Sequence, residues 1–230
     1  MTRNVLACNL MAAIIESIRE DLERCRTAKR PLKVFGAEAH GFKLNPVVRK
    51  SVVVKFEARH GIKLPEDYRR FITELGNGGA GPYYGVFKFR EMDDCHSFQR
   101  WKENDGFVGT LSKPFPHTRA WNDVPPFPEE QDDESLYDAE MERFYEIYWN
   151  TENVNGAIPI CHQGCAYRNW LIVTGPEAGH IWEDLRTDQE GLKPTQLKRK
   201  TRVTFFKWYN DWLQQAVAKL PRAKTDRTKR

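Results

Sequence analysis

The chain has 230 residues, which is enough for one large domain with appendages and for a core that needs neither disulfides nor metal. Hydrophobic residues make up 40% of the sequence and aromatic residues 12%, so a wholly disordered protein is excluded. Charged residues make up 30%, and no apolar run approaches the roughly 20 residues of a membrane-spanning helix, which argues against a membrane protein.

The net charge of +4 is unevenly distributed along the chain. The last twelve residues carry six bases and one acid, so the residues before them have a net charge of −1. We interpret the basic tail, residues 221–230, as a solvated end, with weak nucleic-acid binding as a less favoured alternative. Five irregularly spaced cysteines indicate free thiols, and because no export signal is recognised we expect a cytoplasmic protein.

The first predicted element is an amphipathic helix. From Leu6 to Cys25, apolar residues recur every three or four positions, and charged residues fill positions between them. Pro31 lies beyond the end of this pattern. We therefore assign residues 1–30 to an N-terminal helix that packs on the main body or, less favoured, forms a partner surface.

Two further helices are predicted next. Asn45 followed by Pro46 is typical of a helix start, and Gly61 is typical of a helix end. The predicted buried face of this helix contains Val48, Val52, Val53 and Phe56. Pro65 predicts the start of the next helix, with acidic residues in the first turn where the dipole favours negative charge. Its predicted buried residues are Tyr68, Phe71, Ile72 and Leu75.

The middle of the chain combines a glycine-rich turn, a predicted strand and a long irregular stretch. Residues 78–82 lack the spacing of a phosphate-binding loop, so they predict a turn before a strand at residues 83–89. Residues 90–155 are rich in proline and indicate an insertion, with a helix predicted at residues 134–148.

The last third regains a regular pattern. Three short strands are predicted at residues 157–161, 169–174 and 180–184, with a hairpin turn at residues 175–179. A helix with a bulky aromatic face follows Thr204, a candidate cap. The order of these elements predicts an α+β fold in which a largely antiparallel, mixed sheet is flanked by helices.

Several of these segments resemble the SUKH superfamily, which contains fungal cell-wall-assembly regulators and many bacterial immunity proteins of toxin systems. The resemblance rests on Leu64 and Pro65 followed by Tyr68, on the glycine-rich residues 76–79 and on the aromatic residues 205–213. It covers roughly residues 35–220, apart from most of the insertion. It implies a non-enzymatic binding scaffold, whose diverse members neutralise diverse toxins.

The resemblance also suggests how the chain is divided into a domain and two flanking segments. Residues 31–220 are predicted to form a SUKH-like domain that carries the insertion at about residues 90–155. Residues 1–30 form the extra N-terminal helix, and residues 221–230 form the basic tail.

Two clusters of residues could support metal binding or catalysis, and we interpret both as structural. Cys161, His162 and Cys165 could begin a zinc site, but no Cys/His pair at zinc-ribbon spacing accompanies them, and Cys95-His96 or His180 could complete it only through folding. His180 lies near two carboxylates, one of which strand alternation places on the other face. We therefore predict no catalytic residue, no metal and no cofactor, with a Cys/His-dependent enzyme as the least favoured alternative.

The strongest charge feature lies in the insertion. Residues 129–146 contain nine acidic residues and one base, a net charge of −8. The simpler interpretation is a solvated loop and helix; the functional one is a surface that attracts a cationic partner, with aromatic residues that hold the complex. The predicted partner-binding residues are Trp121, Glu134, Asp138 and Glu142.

These observations favour a bacterial immunity protein that binds and neutralises a cognate toxin domain, with a nuclease as one candidate. The alternative is a regulatory or scaffold protein of the same family without a toxin partner. We expect no small-molecule substrate and no membrane partner, and nucleic-acid binding is not favoured.

Overall fold

The computed structural model describes residues 2–93, 98–130, 132–198 and 202–221, with side chains from residue 11 onwards. Within these ranges the helices are α1 (Thr2–Arg26), α2 (Ala37–His40), α3 (Lys50–His60), α4 (Glu66–Arg70), α5 (Glu134–Tyr148) and α6 (Phe205–Val217). The strands are β1 (Glu91–Asp93), β2 (Phe98–Arg100), β3 (Ala157–Gly164), β4 (Tyr167–Ile172), β5 (Ile181–Asp184) and β6 (Leu192–Pro194). No helix in the described part of the chain is both long and apolar enough to span a membrane.

The main sheet has four strands in the order β3-β4-β5-β6, and every neighbouring pair is antiparallel. A separate antiparallel hairpin, β1-β2, pairs Glu91 with Arg100. The predicted α+β class with a largely antiparallel sheet is confirmed. The strands β1, β2 and β6 were not predicted, because three residues are too few to show an alternating pattern.

The prediction of a regular strand at residues 83–89 is wrong. This segment runs beside β3, where the Phe87 N–H donates to the carbonyl of Ile160 at 2.9 Å, but it forms only isolated bridges. Tyr83 and Gly85 both have positive φ angles, of 53° and 103°, which turn the backbone away from the extended conformation.

The N-terminal helix packs on the body of the protein, as its apolar stripe predicts. Ile15, Ile18 and Leu22 are buried. The Gln214 amide on α6 donates to the buried carboxylate of Asp21 on α1, at 2.9 Å. Packing against α6 therefore fixes the described C-terminal half of this helix.

Helix α3 begins four residues later than the Asn45-Pro46 pattern predicts. The backbone around Asn45 instead pairs with the glycine-rich segment, since the Asn45 N–H donates to Gly78 at 3.0 Å and its carbonyl accepts from Asn77 at 3.1 Å. These tertiary hydrogen bonds override the local capping preference. Val52, predicted to be buried, is 45% exposed, whereas Gly61 ends the helix in the left-handed conformation as predicted.

The core between α4, the π-helical turn Phe71–Leu75 and α6 is aromatic. All four residues predicted to be buried around α4 are buried, and the Phe71 ring lies 4.9 Å from Phe205 and 5.0 Å from Tyr209. Thr204 precedes α6 but its side chain makes no cap hydrogen bond; the carboxylate of Asp67 accepts from the Phe206 N–H instead, at 3.1 Å. Burial raises the pKa of Asp67.

Candidate functional site

Five of the nine acidic residues at positions 129–146 lie on α5, whose bounds match the predicted helix. The side chain of Asp133 caps its N-terminus by accepting a hydrogen bond from the Leu136 N–H at 3.1 Å. Residues four positions apart lie on the same side of a helix, so Glu134, Asp138 and Glu142 follow one another along α5. All three side chains are exposed.

A proline-rich segment packs beside this helix. The Phe127 ring meets Phe144 of α5 edge to face, with ring centroids 5.3 Å apart. A groove of about 460 Å³ separates residues 125–128 from α5, and Glu129 and Glu140 also line it. The groove combines proline and aromatic surface with carboxylates, which suits a partner that presents both apolar and cationic groups.

Trp121 lies at the opposite end of α5 from Glu134. Its half-buried ring stacks on His117 at 4.8 Å and contacts Tyr148, the last residue of the helix, at 5.8 Å. Its backbone exchanges two hydrogen bonds of 2.8 Å with Leu192 of β6. The structure therefore brings the three acids together on one helix, while Trp121 joins the C-terminal end of that helix to the sheet.

The same end of α5 is attached to the sheet by buried hydrogen bonds. The Tyr148 hydroxyl donates to Asn122 at 2.8 Å and accepts from the Gly191 N–H at 2.9 Å. The carbonyl of Tyr148 accepts from Arg186 at 3.1 Å. These contacts hold the helix in one orientation.

Arg186 forms a buried ion pair with Asp184, at 2.7 Å between Nη2 and Oδ2. The Trp170 indole also donates to this carboxylate, at 3.1 Å. Burial alone would raise the pKa of Asp184, but the Arg186 charge and these hydrogen bonds outweigh it and lower the pKa. The Arg186 guanidinium also lies over the exposed Trp149 ring, 4.6 Å from its centroid.

The cysteine and histidine residues of the suspected zinc cluster point to different environments. The Cys161 thiol is buried, where desolvation raises its pKa, and it donates to the carbonyl of Pro82 at 3.2 Å. Cys165 is exposed in the turn between β3 and β4. His162 lies 3.2 Å from Asp93 and stacks on Tyr84. Among the described residues, no group of three His, Cys, Asp or Glu side chains could hold a metal ion.

Other suspected ligands do not join this cluster in the described structure. Cys95 and His96 fall outside the described residues. His180 lies 3.2 Å from the buried Glu177, and the carboxylate of Asp184 is engaged by Arg186. The described contact of His180 is therefore with Glu177, and not with the strand carboxylates that drew attention to it.

A second and larger groove, of about 630 Å³, was not predicted from the sequence. It lies beside β3. Tyr84, Phe98 and His162 line it together with residues of α2 and β1. Phe98 is 70% exposed, and Phe35, which contacts the Tyr84 ring at 5.4 Å, is 64% exposed. The aromatic residues at positions 83–89 could have indicated this groove, but we interpreted them as part of a strand.

The chain matches the model of a known protein family. The family model described as SMI1 / KNR4 family (SUKH-1) matches residues 48–192, more than half of the chain. The matched range begins just before α3 and ends at the first residue of β6, so it contains the insertion and the acidic helix. No curated protein and no solved structure matches the chain.

Proposed function

Because the chain belongs to the SMI1 / KNR4 family (SUKH-1), we propose that it is a non-enzymatic binding protein, and specifically a bacterial immunity protein that neutralises a toxin domain. The partner that fits best presents a basic cleft, as nucleases do in order to hold the phosphates of their substrates. The protein would then act by occupying that cleft.

The observation that carries this proposal is the acidic side of α5. Glu134, Asp138 and Glu142 are exposed on a helix whose far end is attached to the sheet through Tyr148. A helix already held in place loses little conformational freedom on binding, which lowers the entropic cost of the complex. Charge complementary to a basic cleft accelerates association and disfavours wrong partners.

Exposed aromatic residues on this helix and directly after it supply the apolar part of such an interface. Tyr145 is 47% exposed and Trp149, over Arg186, is 37% exposed. Aromatic side chains that become buried in an interface usually contribute the largest share of its binding energy. We propose that these residues anchor the partner once the acidic residues have attracted it.

Two considerations favour binding over catalysis. The family is generally non-catalytic. The candidate nucleophile Cys161 is buried, and desolvation raises the pKa of its thiol. A raised pKa disfavours the reactive thiolate.

The test is whether the purified chain captures the product of a neighbouring gene and protects cells that express it. We expect capture and protection by the wild-type chain. The triple charge reversal Glu134→Lys, Asp138→Lys and Glu142→Lys should weaken binding by about tenfold or more, because it replaces attraction with repulsion.

The control is a second triple reversal with the same change in net charge, at exposed acids of α1, α2 and α4: Glu20→Lys, Glu38→Lys and Glu66→Lys. Glu66 matches Glu134, since each occupies the first turn of its helix. Equal affinity of both triple variants for the toxin would reject the acidic side of α5 as the binding surface. Capture of a non-toxic regulatory protein instead of a toxin would favour the scaffold alternative.

A further inference from the structure

A cavity of about 300 Å³ lies beside α6, and four aromatic side chains line it: Phe35, Tyr83, Trp208 and Trp212. Residues four positions apart lie on the same side of a helix, so Trp208 and Trp212 form one wall of the cavity. The ring of Phe35 lies 6.4 Å from that of Tyr83, with an angle of 83° between the two ring planes. Three segments far apart in the sequence therefore supply aromatic surface to one cavity.

Unusual backbone conformations bring Phe35 and Tyr83 together. Gly36 has a φ of 72°, and a Cβ atom at this position would clash with the carbonyl oxygen of Tyr83, so the close approach requires glycine. Tyr83 itself has a φ of 53°, which is rare for a bulky residue and is found more often at functional positions. The side chain of Phe35 is nevertheless 64% exposed, so packing in the core does not explain its position.

One carboxylate, that of Asp211, also lines the cavity. It accepts a hydrogen bond from the Gln215 amide at 2.7 Å, and it makes no ion pair with any described residue. The other charged side chain in the described lining is Lys219. Its ammonium group donates to the carbonyl of Lys33, a residue outside the lining, at 2.5 Å. Asp211 can therefore neutralise a cation that enters the cavity.

We propose that this cavity binds a small molecule that carries a quaternary ammonium group. The face of an aromatic ring attracts a cation, and the methyl groups of a quaternary ammonium bury apolar surface against the rings. Because its nitrogen carries no hydrogen, the group leaves no donor unsatisfied in an aromatic environment. The volume lies at the lower end of the range for small-molecule pockets, about 300–1,000 Å³.

The site is independent of the proposed toxin-binding surface. The cavity beside α6 shares no lining residue with the groove beside α5. Binding of a quaternary ammonium compound and neutralisation of a toxin can therefore succeed or fail separately.

The experiment is a calorimetric titration of the full chain with choline and, separately, with its neutral isostere, in which a carbon atom replaces the quaternary nitrogen. We expect saturable binding of choline, and about tenfold weaker binding of the isostere, because the attraction between a cation and the aromatic rings is lost. Tryptophan fluorescence should change over the same range of choline concentration, since Trp208 and Trp212 line the cavity. No saturable binding of choline, or equal affinity for the isostere, would overturn the proposal.

The deciding variants are Phe35→Ala, at an exposed ring, and Asp211→Asn, at a half-buried carboxylate. Each should weaken binding of choline by about threefold or more. Asp211→Asn should leave binding of the neutral isostere unchanged, an outcome that a merely structural defect would not produce. The matched controls, Phe98→Ala and Asp123→Asn, alter exposed residues outside the cavity and should retain affinity for choline. Equal affinity of each deciding variant and its control would also overturn the site.

Discussion

The carbonyl of Tyr148 accepts a hydrogen bond of 3.1 Å from the guanidinium of Arg186, and this contact joins the end of α5 to the sheet. The same guanidinium pairs with Asp184, so a single side chain connects the acidic helix to β5. The position of the candidate binding surface therefore depends on a buried ion pair that lies behind it.

Replacement of Arg186 should be costly. In Arg186→Met, the carboxylate of Asp184 stays buried without its cation, and the carbonyl of Tyr148 loses its donor. Removal of one member of a buried ion pair typically destabilises a protein by about 3–5 kcal/mol. Chemical denaturation of the variant and the wild type should show a loss of this order in the free energy of unfolding.

The control for this prediction removes the stranded charge as well. Arg186→Met combined with Asp184→Asn should be more stable than Arg186→Met alone, because no uncompensated carboxylate remains in the interior. The exposed Arg143→Met on α5 should change stability by no more than about 0.5 kcal/mol. If the double variant is as unstable as the single one, the charge of Asp184 is not what makes Arg186 necessary.

The hydroxyl of Tyr148 provides a second, finer test of how α5 is held. Tyr148→Phe keeps the ring, which is 1% exposed, but leaves the buried Gly191 N–H without an acceptor. An unsatisfied buried donor costs about 1–3 kcal/mol. We expect a loss of that size in the free energy of unfolding and faster hydrogen exchange at the Gly191 amide.

Tyr145→Phe, on the same helix but 47% exposed, is the matched control and should change stability by no more than about 0.5 kcal/mol. Equal stability of the two variants, with unchanged exchange at Gly191, would mean that the hydroxyl of Tyr148 does not hold the helix.

The helix that carries the candidate site could be predicted from the sequence because its determinants are local. Asp133 caps the first turn, and the apolar residues Phe144 and Tyr148 repeat at helical spacing and are buried. The same holds for α4 and α6, whose apolar stripes form the core. Acidic residues at exposed helical positions are likewise visible as a pattern.

The attachments of the site could not be predicted, because they join residues far apart in the chain. Arg186 and Tyr148 are separated by 38 positions, and no periodicity marks such a pair. Trp121 attracted attention as an aromatic residue in an acidic region, but its pairing with Leu192 depends on the position of β6, a strand too short to predict.

Two histidines should make stability depend on pH. Burial lowers the pKa of His40 and of His117 to about 4, below the ordinary value of 6.5. His40 Nδ1 accepts from the Phe42 N–H at 3.0 Å, which requires that nitrogen to be unprotonated. The unfolded chain binds protons below pH 6.5 whereas the folded protein does not, so stability should fall as the pH decreases from 6.5 towards 4.

The measurement is the free energy of unfolding between pH 7 and pH 5, a range above most carboxylate titrations. The variant His40→Gln with His117→Gln should show a smaller fall across this range than the wild type, whatever its absolute stability. NMR titration of the two imidazoles supplies the direct check. Titration of either ring near its ordinary pKa in the folded protein would contradict the prediction for that residue.

The acidic side of α5 makes a kinetic prediction about the partner. If Glu134, Asp138 and Glu142 attract a basic cleft, the association rate constant should fall steeply with salt between about 0.1 and 1 M, as the Debye length shrinks from about 10 to about 3 Å. The dissociation rate should change much less, because contacts made after docking are screened less. The triple reversal to lysine should associate more slowly and lose this salt dependence, whereas the matched reversal at Glu20, Glu38 and Glu66 should retain it. Identical salt dependence in the two triple variants would show that the attraction comes from the net charge of the protein and not from this helix.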